Sequence, residues 1–324
     1  MGSSPIPRTT FHCQKLIAVI NSVLREMTMH ISEFAGKHLP FAVRLLNEEY
    51  RSAYEFIPFD EERVLSQIQR RHLKVLVAEE NGVMLGLIGS HTHEHEEEDV
   101  TWLAAAKERD YVIIENLLVN EVEKRSRGDS VSMMIDDGSP RIRNWINRGY
   151  VLQPGYQRMS ARLDGLRTVP RIDKEIELRS LRTDEEEELI TIINAGFGSQ
   201  RLECGDLETW KREDPPFNEE WVQVAQLDER LISAVVAKPD TDSIRYLHLN
   251  RGYLGPAATL PEFRNKHLAS ALTAQAMNFL FEKGMNSVRL GTSEQNVSSI
   301  ALLKRLGFRV DNVRKILMKN LKKA

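Results

Sequence analysis

One stretch of the chain has the residue types and the spacing that bind a phosphate group. Residues 260–272 read LPEFRNKHLASAL, which is a proline turn, then Arg264 and Lys266, then a helical pattern. The N-terminus of a helix leaves four backbone N–H groups unpaired and carries the positive end of the helix dipole. Together with the two cations, these groups favour a bound pyrophosphate, although no glycine is present to let a ligand approach closely. The alternative is a basic first turn of a surface helix without a ligand.

A second stretch has residue types that ligate metals. His91, His93 and His95 alternate in HTHEHEEED, so all three would lie on one face of a strand and could bind zinc or copper. No fourth ligand accompanies them in the sequence. A charged, solvated loop explains the stretch equally simply, and we therefore predict no metal site.

The composition places these stretches in a protein of ordinary globular type. The chain has 324 residues, 41% of them hydrophobic and 28% charged, and a net charge of −3. These values favour two domains and give no electrostatic reason to expect nucleic acid or a membrane as a partner. The two cysteines form neither a disulfide framework nor a metal-binding spacing, which favours a reducing, cytoplasmic compartment. Residues 1–28 are predicted to be an N-terminal extension or docked helix; a targeting peptide is the alternative.

The chain repeats itself. Residues 75–90 match residues 222–237 without a gap at an offset of 147, and residues 142–163 match residues 300–321 at an offset of 158. The first segment of each copy alternates apolar and polar residues around a short polar turn, which predicts a β-hairpin. Because the same units recur in the same order, we predict two α/β (α+β) domains, at residues 29–163 and 175–324, joined by a linker over residues 164–174.

The second copy predicts a definite order of elements. Helices are expected near residues 184–194 and 207–212, after Lys266 as far as about Lys283, and over 297–306. Strands are expected at 176–181, in the hairpin, at 253–260, at 286–290 and at the C-terminus. Gly284 and Gly307 are typical stop signals for the last two helices.

Two motifs in this order resemble those of the GNAT acyltransferase family, whose members use acyl-coenzyme A. In the family, a strand that ends in proline is followed by R/Q-x-x-G-x-G/A at the start of a helix; here Pro261, Arg264, His267 and Ala269 occupy these positions. The second family motif is N-x-x-A-x-x-L-Y-x-x-x-G-F. Its positions here hold Asn296, Ser299, Leu302, Leu303, Gly307 and Phe308. The resemblance covers residues 175–324 and, more faintly, 29–163, and it implies two tandem GNAT-like domains, each a mixed, mostly antiparallel sheet flanked by helices.

The resemblance also implies how acetyl-coenzyme A is bound. The strand before the proline diverges from its neighbour in this family, and its free backbone groups bind the pantetheine arm like an added strand. Asn296 would reach the same arm or would only cap its helix. The predicted cofactor-binding residues are Ala257, Ala258, Thr259, Arg264, Asn265, Lys266, His267, Leu268, Ala269 and Asn296. We expect an ordinary helical φ at His267.

The catalytic groups are less well marked. The position of the proton-donating tyrosine of the family holds Leu303, so another group or water would protonate the leaving thiolate. The position of the family's base holds Tyr253, a poor base at a pKa of about 10 unless it orients a water. His248 is the second candidate, with a role as a satisfied strand residue as its alternative. Glu294 is a third candidate, with simple solvation as its alternative.

An acidic segment precedes the hairpin of the second copy. Its carboxylates are Glu203, Asp206, Glu208, Glu213, Asp214, Glu219 and Glu220. In the family this segment shapes the acceptor pocket, so it favours a cationic amine as the acceptor. A solvated acidic surface is the alternative.

The first copy departs from the motif that would bind phosphate. Arg109 aligns with Arg264, but Asp110 follows it and the bulky Val112 and Ile114 occupy the small positions. The connection from the hairpin to this arginine is eight residues shorter than in the second copy. We therefore predict that the pantetheine strand is shortened or missing here and that the first copy is a structural domain.

These observations predict an N-acetyltransferase that transfers an acetyl group from acetyl-coenzyme A to a primary amine of a small molecule through residues 175–324. Two alternatives are a non-catalytic module that binds acyl-coenzyme A and an N-acetyltransferase that acts on proteins or peptides.

Overall fold

The computed structural model describes residues 29–92 and 97–321, which form two compact units. The first unit comprises Met1–Gln153 with Lys315–Ala324, and the second comprises Pro154–Arg314. The predictions for residues 1–28, and for His93 and His95, lie outside the described residues. In the part of the chain that is described, no helix is long and apolar enough to cross a membrane.

The first unit is a sheet flanked by helices. Its elements are β1 (His30–Glu33), α1 (Leu39–Tyr50), α2 (Glu61–Arg70), β2 (Lys74–Glu80), β3 (Val83–Thr92), β4 (Glu97–Ala105), α3 (Tyr111–Arg125), β5 (Ser130–Asp136), α4 (Ile142–Asn147) and the start of β6 (Val151–Arg162). The strands lie in the order β1-β2-β3-β4-β5. Only β4 and β5 among these neighbours are parallel.

The second unit repeats this arrangement with one more helix. Its elements after β6 are β7 (Ile176–Ser180), α5 (Glu186–Phe197), α6 (Asp206–Glu213), β8 (Val222–Leu227), β9 (Arg230–Pro239), α7 (Thr241–Leu247), β10 (Arg251–Thr259), α8 (Leu268–Glu282), β11 (Ser287–Ser293), α9 (Val297–Arg305) and the start of β12 (Arg309–Asn320). The strands lie in the order β6-β11-β10-β9-β8-β7. Here only β10 and β11 are parallel. The predicted fold class, mixed and mostly antiparallel sheets flanked by helices, is confirmed.

Helix α8 packs against one face of the second sheet. Most of its apolar side chains are buried, among them Leu272, Met277 and Leu280. Gly252 permits this close approach, because a Cβ there would lie 2.6 Å from a Leu280 methyl carbon. The helix ends before Gly284, which has a φ of +84°, as the sequence predicted.

The repeat offsets show where the two copies differ in length. The hairpins lie 147 residues apart, Glu97 and Arg251 begin β4 and β10 at an offset of 154, and Tyr111 and Leu268 begin α3 and α8 at an offset of 157. Both β4 and β10 are nine residues long. The expectation that the strand of the first copy is shortened is therefore wrong. Compared with the second copy, the first copy lacks the residues of α7 and three residues of the turn between its strand β4 and helix α3.

His248 lies in an element that the alternation pattern did not indicate. The alternative role for His248, that of a satisfied strand residue, is wrong, because residues 241–247 form α7 and His248 ends this helix with a φ of 55°. Asp240 caps the helix by accepting a hydrogen bond from the Ser243 N–H. An aspartate cap before a short polar run is the signal that could have indicated this helix.

The last strand of each copy contributes to both units. Residues 151–153 of β6 belong to the first unit and residues 154–162 to the second, whereas residues 309–314 of β12 belong to the second and residues 315–320 to the first. Accordingly, Met159 is buried in the core of the second unit, and Leu317 is buried in a core of the first. The segment predicted as a linker lies within the second unit, where the Asn278 side chain accepts from the Arg167 N–H at 2.6 Å and donates to the Arg167 carbonyl at 2.9 Å.

Candidate active site in the second unit

A cleft opens where β10 and β11 separate. β10 pairs with β11 only from Arg251 to Tyr253, but with β9 as far as Thr259. The next residue, Leu260, donates its N–H to the Ile232 carbonyl of β9 at 3.0 Å. Because backbone groups alternate between the two edges of a strand, the N–H and C=O groups of Ala257 and Thr259 point away from β9, toward the cleft.

A β-bulge lies at the narrow end of this cleft. The pairing of β10 with β9 shifts by one residue between Leu254 and Ala257. The bulge reverses which face the following side chains occupy. As a result, Ala258 packs against α5, where a Cβ on Gly196 would lie 2.6 Å from the Ala258 Cβ.

The turn before α8 has a backbone that the sequence did not predict. Asn265 has a φ of 63° and His267, the N-cap of α8, a φ of 64°, so the expected helical φ at His267 is wrong. Glycine adopts this left-handed conformation freely, and asparagine and histidine adopt it more readily than most other residues. The family glycine at this position therefore also serves a turn, and His267 preserves that turn with a side chain.

The first turn of α8 presents unpaired backbone donors. His267 makes no side-chain cap, and within residues 97–321 no backbone carbonyl accepts from the N–H of Leu268, Ala269 or Ser270. The Lys266 ammonium lies 5.2 Å from the centroid of the Phe263 ring, so a positive charge is held at the same turn. This arrangement fits an anionic ligand such as the pyrophosphate of coenzyme A.

The Arg264 side chain is directed elsewhere than the motif suggested. Its guanidinium donates to the Gly196 carbonyl in the last turn of α5 at 2.8 Å and to the Thr259 carbonyl at 3.4 Å. Arg264 therefore links the C-terminus of α5 to the end of β10. Its backbone remains within the turn that would hold the phosphates, while its charge is shared with two carbonyls.

Tyr253 lies at the narrow end of the cleft. It is half-buried on β10, and its ring covers Gly255, where a Cβ would lie 3.4 Å from the Tyr253 Cε1. Burial raises the pKa of the Tyr253 phenol above its ordinary value of 10.0, against the opposing effect of the Arg289 charge. The phenol is therefore a still poorer base than the sequence suggested and remains protonated near neutral pH.

The other catalytic candidates have different environments. His248 is exposed at the end of α7, and in the described parts of the chain no hydrogen bond joins it to Tyr253. Glu294, for which simple solvation was the alternative to a catalytic role, accepts a hydrogen bond at its Oε2 from the Gly155 N–H at 2.7 Å.

Leu303 is buried in the apolar core, so its helix brings no proton donor to the cleft from that position. Asn296 acts as an N-cap, since its Oδ1 accepts from the Ser299 N–H at 3.1 Å.

The acidic segment is largely neutralised within the protein. Lys211 lies 2.6 Å from both Glu208 and Glu219, and Lys238 lies 2.7 Å from Asp214. Glu220 lies 3.4 Å from Lys283. These ion pairs weaken the reason to expect a cationic acceptor, because these four of the seven carboxylates already have cationic partners.

The equivalent strand edge in the first unit is closed. Leu103 of β4 corresponds to Ala257 at the offset of 154, and it donates its N–H to the Tyr50 hydroxyl at 3.0 Å. Its carbonyl accepts from Arg141 at 3.0 Å. Arg141 and Arg148 each also lie 2.7 Å from Glu115, a carboxylate that is only 1% exposed. Glu115, the one carboxylate in the mostly apolar run YVIIENLLV, was the sequence signal that could have indicated this network.

Two further observations, on a cavity and on metal ligands, lie apart from this chemistry. A cavity of about 420 Å³ is lined by residues of the first unit alone, including Phe34, Leu73 and the buried Glu98. None of the residues predicted to bind the cofactor lines it. Across the described residues, no cluster of three or more histidine, cysteine, aspartate or glutamate side chains could hold a metal ion.

Comparisons with known proteins agree with this geometry. Residues 181–308 match the family model described as "Acetyltransferase (GNAT) family". The chain is 31% identical over 85 residues to N-alpha-acetyltransferase 30 of Schizosaccharomyces pombe, an alignment that spans 26% of this chain and 55% of that protein, or about half its length.

Solved structures show the same fold. A GCN5-related N-acetyltransferase from Sphaerobacter thermophilus superposes with a TM-score of 0.68 at 15% identity, over 92% of this chain and 97% of that one. A tandem GNAT protein from the clavulanic acid biosynthesis pathway does so with a TM-score of 0.65 at 13% identity, over 91% and 99% of the two chains. Residues 181–308 therefore match the GNAT family model, as the two sequence motifs of the second copy predicted.

Proposed function

We propose that the second unit transfers an acetyl group from acetyl-coenzyme A to the primary amine of a small molecule. The observation that carries the proposal is the open edge of β10, which leads directly to the unpaired N–H groups at the start of α8. The pantetheine arm would add to the edge at Ala257 and Thr259, and the pyrophosphate would bind at residues 264–269. The closed edge at Leu103 supports the assignment of this role to the second unit alone.

The residues at the narrow end of the cleft suit amide formation. A neutral amine attacks the thioester carbon, the C–S bond breaks, one proton leaves the nitrogen and one proton is gained by the sulfur. Tyr253, protonated and half-buried, would donate a hydrogen bond toward the sulfur or orient the water that removes the amine proton. His248 would accept that proton from the solvent side. Leu303 supplies no acid, so the thiolate is protonated by water or by way of Tyr253.

Acetylation of a protein or peptide N-terminus is the second candidate. The observation that favours it is the matched stretch of the Schizosaccharomyces pombe protein, whose name specifies an N-alpha-acetyltransferase. Release of free coenzyme A in the presence of small amines, and separately of peptides, distinguishes the two candidates. Binding of coenzyme A without any release would instead support a non-catalytic module.

The cleft itself is tested by the substitution Ala257→Pro. Proline removes an N–H that points into the cleft and breaks no bond to β9, so the fold should persist. We expect the affinity for coenzyme A, measured by calorimetry, to fall about tenfold, the value of one lost backbone hydrogen bond. Ala257→Val keeps the N–H and serves as the control. Equal affinities of the two variants, with unchanged melting temperatures, would overturn the assignment of the pantetheine strand.

A further inference from the structure

A cavity in the first unit has a buried carboxylate in its wall. The cavity has a volume of about 420 Å³, which is within the range of small-molecule sites, and its lining residues all belong to the first unit. Glu98 of β4 lines it with a side chain that is only 4% exposed. Because burial removes the hydration of a carboxylate, a glutamate this deeply buried usually has a cation close beside it. The contacts of Glu98 therefore indicate what this Glu98 cavity can bind.

Glu98 receives its hydrogen bonds from two hydroxyl groups. Ser90 Oγ donates to Glu98 Oε1 at 2.5 Å, and Thr92 Oγ1 donates to Glu98 Oε2 at 2.8 Å. A carboxylate oxygen has two lone pairs and can accept two hydrogen bonds. Within residues 29–92 and 97–321, one accepting position therefore remains on each oxygen of Glu98.

The cation that pairs with Glu98 does so loosely. The Lys74 ammonium lies 4.0 Å from Glu98 Oε2, and it donates a hydrogen bond to the Thr92 hydroxyl at 2.9 Å. The Lys74 side chain is 68% exposed, and an exposed lysine at this separation contributes little free energy to an ion pair. Lys74 thus leaves the buried carboxylate open to a better-placed cation.

The charged groups at the rim of the Glu98 cavity have both signs. Glu33, Lys74 and Arg125 line the cavity and are exposed. Arg125 also lies 2.7 Å from Glu121, so its charge already has a partner. Because the rim holds both signs, the charge of a ligand is selected at the buried end of the cavity, where Glu98 lies.

The remaining wall of the Glu98 cavity is mostly apolar. Leu76 of β2 and Val122 of α3 line it, and both belong to the same buried core. Phe34, which follows β1, and Leu73, which precedes β2, line it as well. Apolar walls around one buried acceptor suit a ligand that has a hydrocarbon body and one cationic group.

We propose that the Glu98 cavity binds a primary ammonium ion that carries a small alkyl or aryl group. The ammonium N–H groups would donate charge-assisted hydrogen bonds to the two open positions of Glu98, and the hydrocarbon would be buried against the apolar wall. The ligand would thereby replace the loose contact with Lys74. The inference does not depend on the proposed acetyltransferase function, and it gives the first unit a binding role of its own.

Titration of the full-length protein with phenethylamine tests the site, with the alanine, leucine and valine methyl groups labelled for NMR. Phenethyl alcohol, which has the same carbon skeleton and no charge, is the control ligand. We expect the amine to shift the Leu76 and Val122 methyl resonances saturably and to bind at least about tenfold more tightly than the alcohol, the effect of a charge-assisted hydrogen bond. Equal affinities, no saturable shift at millimolar amine, or shifts at Ala258 of the second unit without shifts at Leu76 and Val122 would overturn the inference.

Two substitutions with opposite expected effects test the role of Glu98. Glu98→Gln keeps an accepting oxygen but removes the charge, so the affinity for phenethylamine should fall about tenfold while that for phenethyl alcohol stays within about twofold of the parent. Lys74→Gln removes the competing cation, so the affinity for the amine should rise about threefold. The matched controls, which should change neither affinity, are Glu97→Gln, at the exposed neighbour on β4, and Lys107→Gln, at an exposed lysine 3.9 Å from Glu49.

The exposed position of Lys74 keeps the inference testable even if Glu98→Gln does not fold. An unchanged or lower affinity for the amine in Lys74→Gln would show that Glu98 does not bind the ammonium group. An unchanged affinity in a folded Glu98→Gln would show the same. Release of coenzyme A by the second unit is measured separately, so neither result bears on the proposed function.

Discussion

Arg264 shows how one side chain can satisfy a motif and still have a different contact. The motif identified the position because a cation beside a helix N-terminus suits a phosphate. In the structure the guanidinium donates to the Gly196 and Thr259 carbonyls and so secures the two elements on either side of the turn. The residue therefore contributes to the shape of the turn as well as to its charge.

Arg264→Glu should consequently affect both binding and stability. A carboxylate cannot donate to the two carbonyls and would repel phosphate, so we expect at least a tenfold loss of coenzyme A affinity and a loss of unfolding free energy of about 1–2 kcal/mol. Calorimetry and chemical denaturation measure the two effects. Arg212→Glu, on the exposed surface of α6, is the control for the change in net charge. Wild-type affinity in Arg264→Glu would refute the phosphate site.

Tyr253→Phe tests the role of the phenol. Because burial raises the pKa of Tyr253 above 10.0, its deprotonated form is scarce throughout the ordinary assay range, and the group acts as a hydrogen-bond donor. We expect kcat to fall by about tenfold or more, KM for acetyl-coenzyme A to stay nearly constant, and the shape of the pH–rate profile below about pH 9 to be unchanged. A limb of the profile that disappears in Tyr253→Phe would mean that the tyrosine titrates as the base.

At the scale of elements, β4 and β10 are equal in length but differ in the state of their free edges. Periodicity and the hairpin repeats predicted both sheets, because alternation and turn residues act locally. The closed edge of β4 depends on Tyr50 and Arg141, which lie far away in sequence and meet only in the fold. The left-handed backbone at His267 was likewise hidden, since a glycine is its usual signal. Helix α7 was missed because seven residues are too few to show a period.

The edge strand β1 is held by a carboxylate that gives stability a pH dependence. The Ser32 hydroxyl and the Lys37 ammonium hold the pKa of Glu79 at about 2, below its ordinary 4.5. A lowered folded-state pKa contributes stability that is present above about pH 4.5 and is lost as the pH falls toward 2.

We therefore expect the stability of β1 and β2 to decline in that acid range and Glu79→Gln to abolish most of this local decline, on the order of 1–3 kcal/mol. Hydrogen exchange of the β1 and β2 amides measures it in the region concerned. Glu97→Gln, at an exposed position of β4, is the control. Parallel pH dependence in the parent and Glu79→Gln would show that Glu79 does not control it.

At the scale of the whole molecule, duplication has produced one open edge and one closed edge. The turn before α3 is three residues shorter than the turn before α8, and the edge at Leu103 already has partners. The sequence alignment placed the bulky Val112 and Ile114 at the positions of His267 and Ala269. Because α3 begins at Tyr111, the structural equivalents of His267 and Ala269 lie two positions earlier in the chain. The first unit is still predicted to be a structural domain, but the reasons are now its shorter turn and its closed strand edge.

One molecule of coenzyme A should therefore bind per chain. The first unit would have to break the Arg141 and Tyr50 contacts to Leu103 before it could accept a pantetheine arm, at a cost on the order of a few kcal/mol, or about 100-fold in affinity. Isothermal titration gives the stoichiometry directly. Two sites of similar affinity would contradict the closed edge. In that case the contacts of Tyr50 and Arg141 would not block the additional site, and the double variant Tyr50→Phe, Arg141→Leu should leave its affinity unchanged.

The division of β12 between the two units has a consequence for synthesis on the ribosome. Protein domains commonly fold in the order in which they emerge. Here the first unit awaits Lys315–Asn320, a segment that is synthesised after the second unit, to cover the core side that Leu317 fills. The nascent first unit thus waits through translation of the second unit with an unfilled strand position. Loss of Lys315–Asn320 would therefore damage the half of the protein that is encoded first.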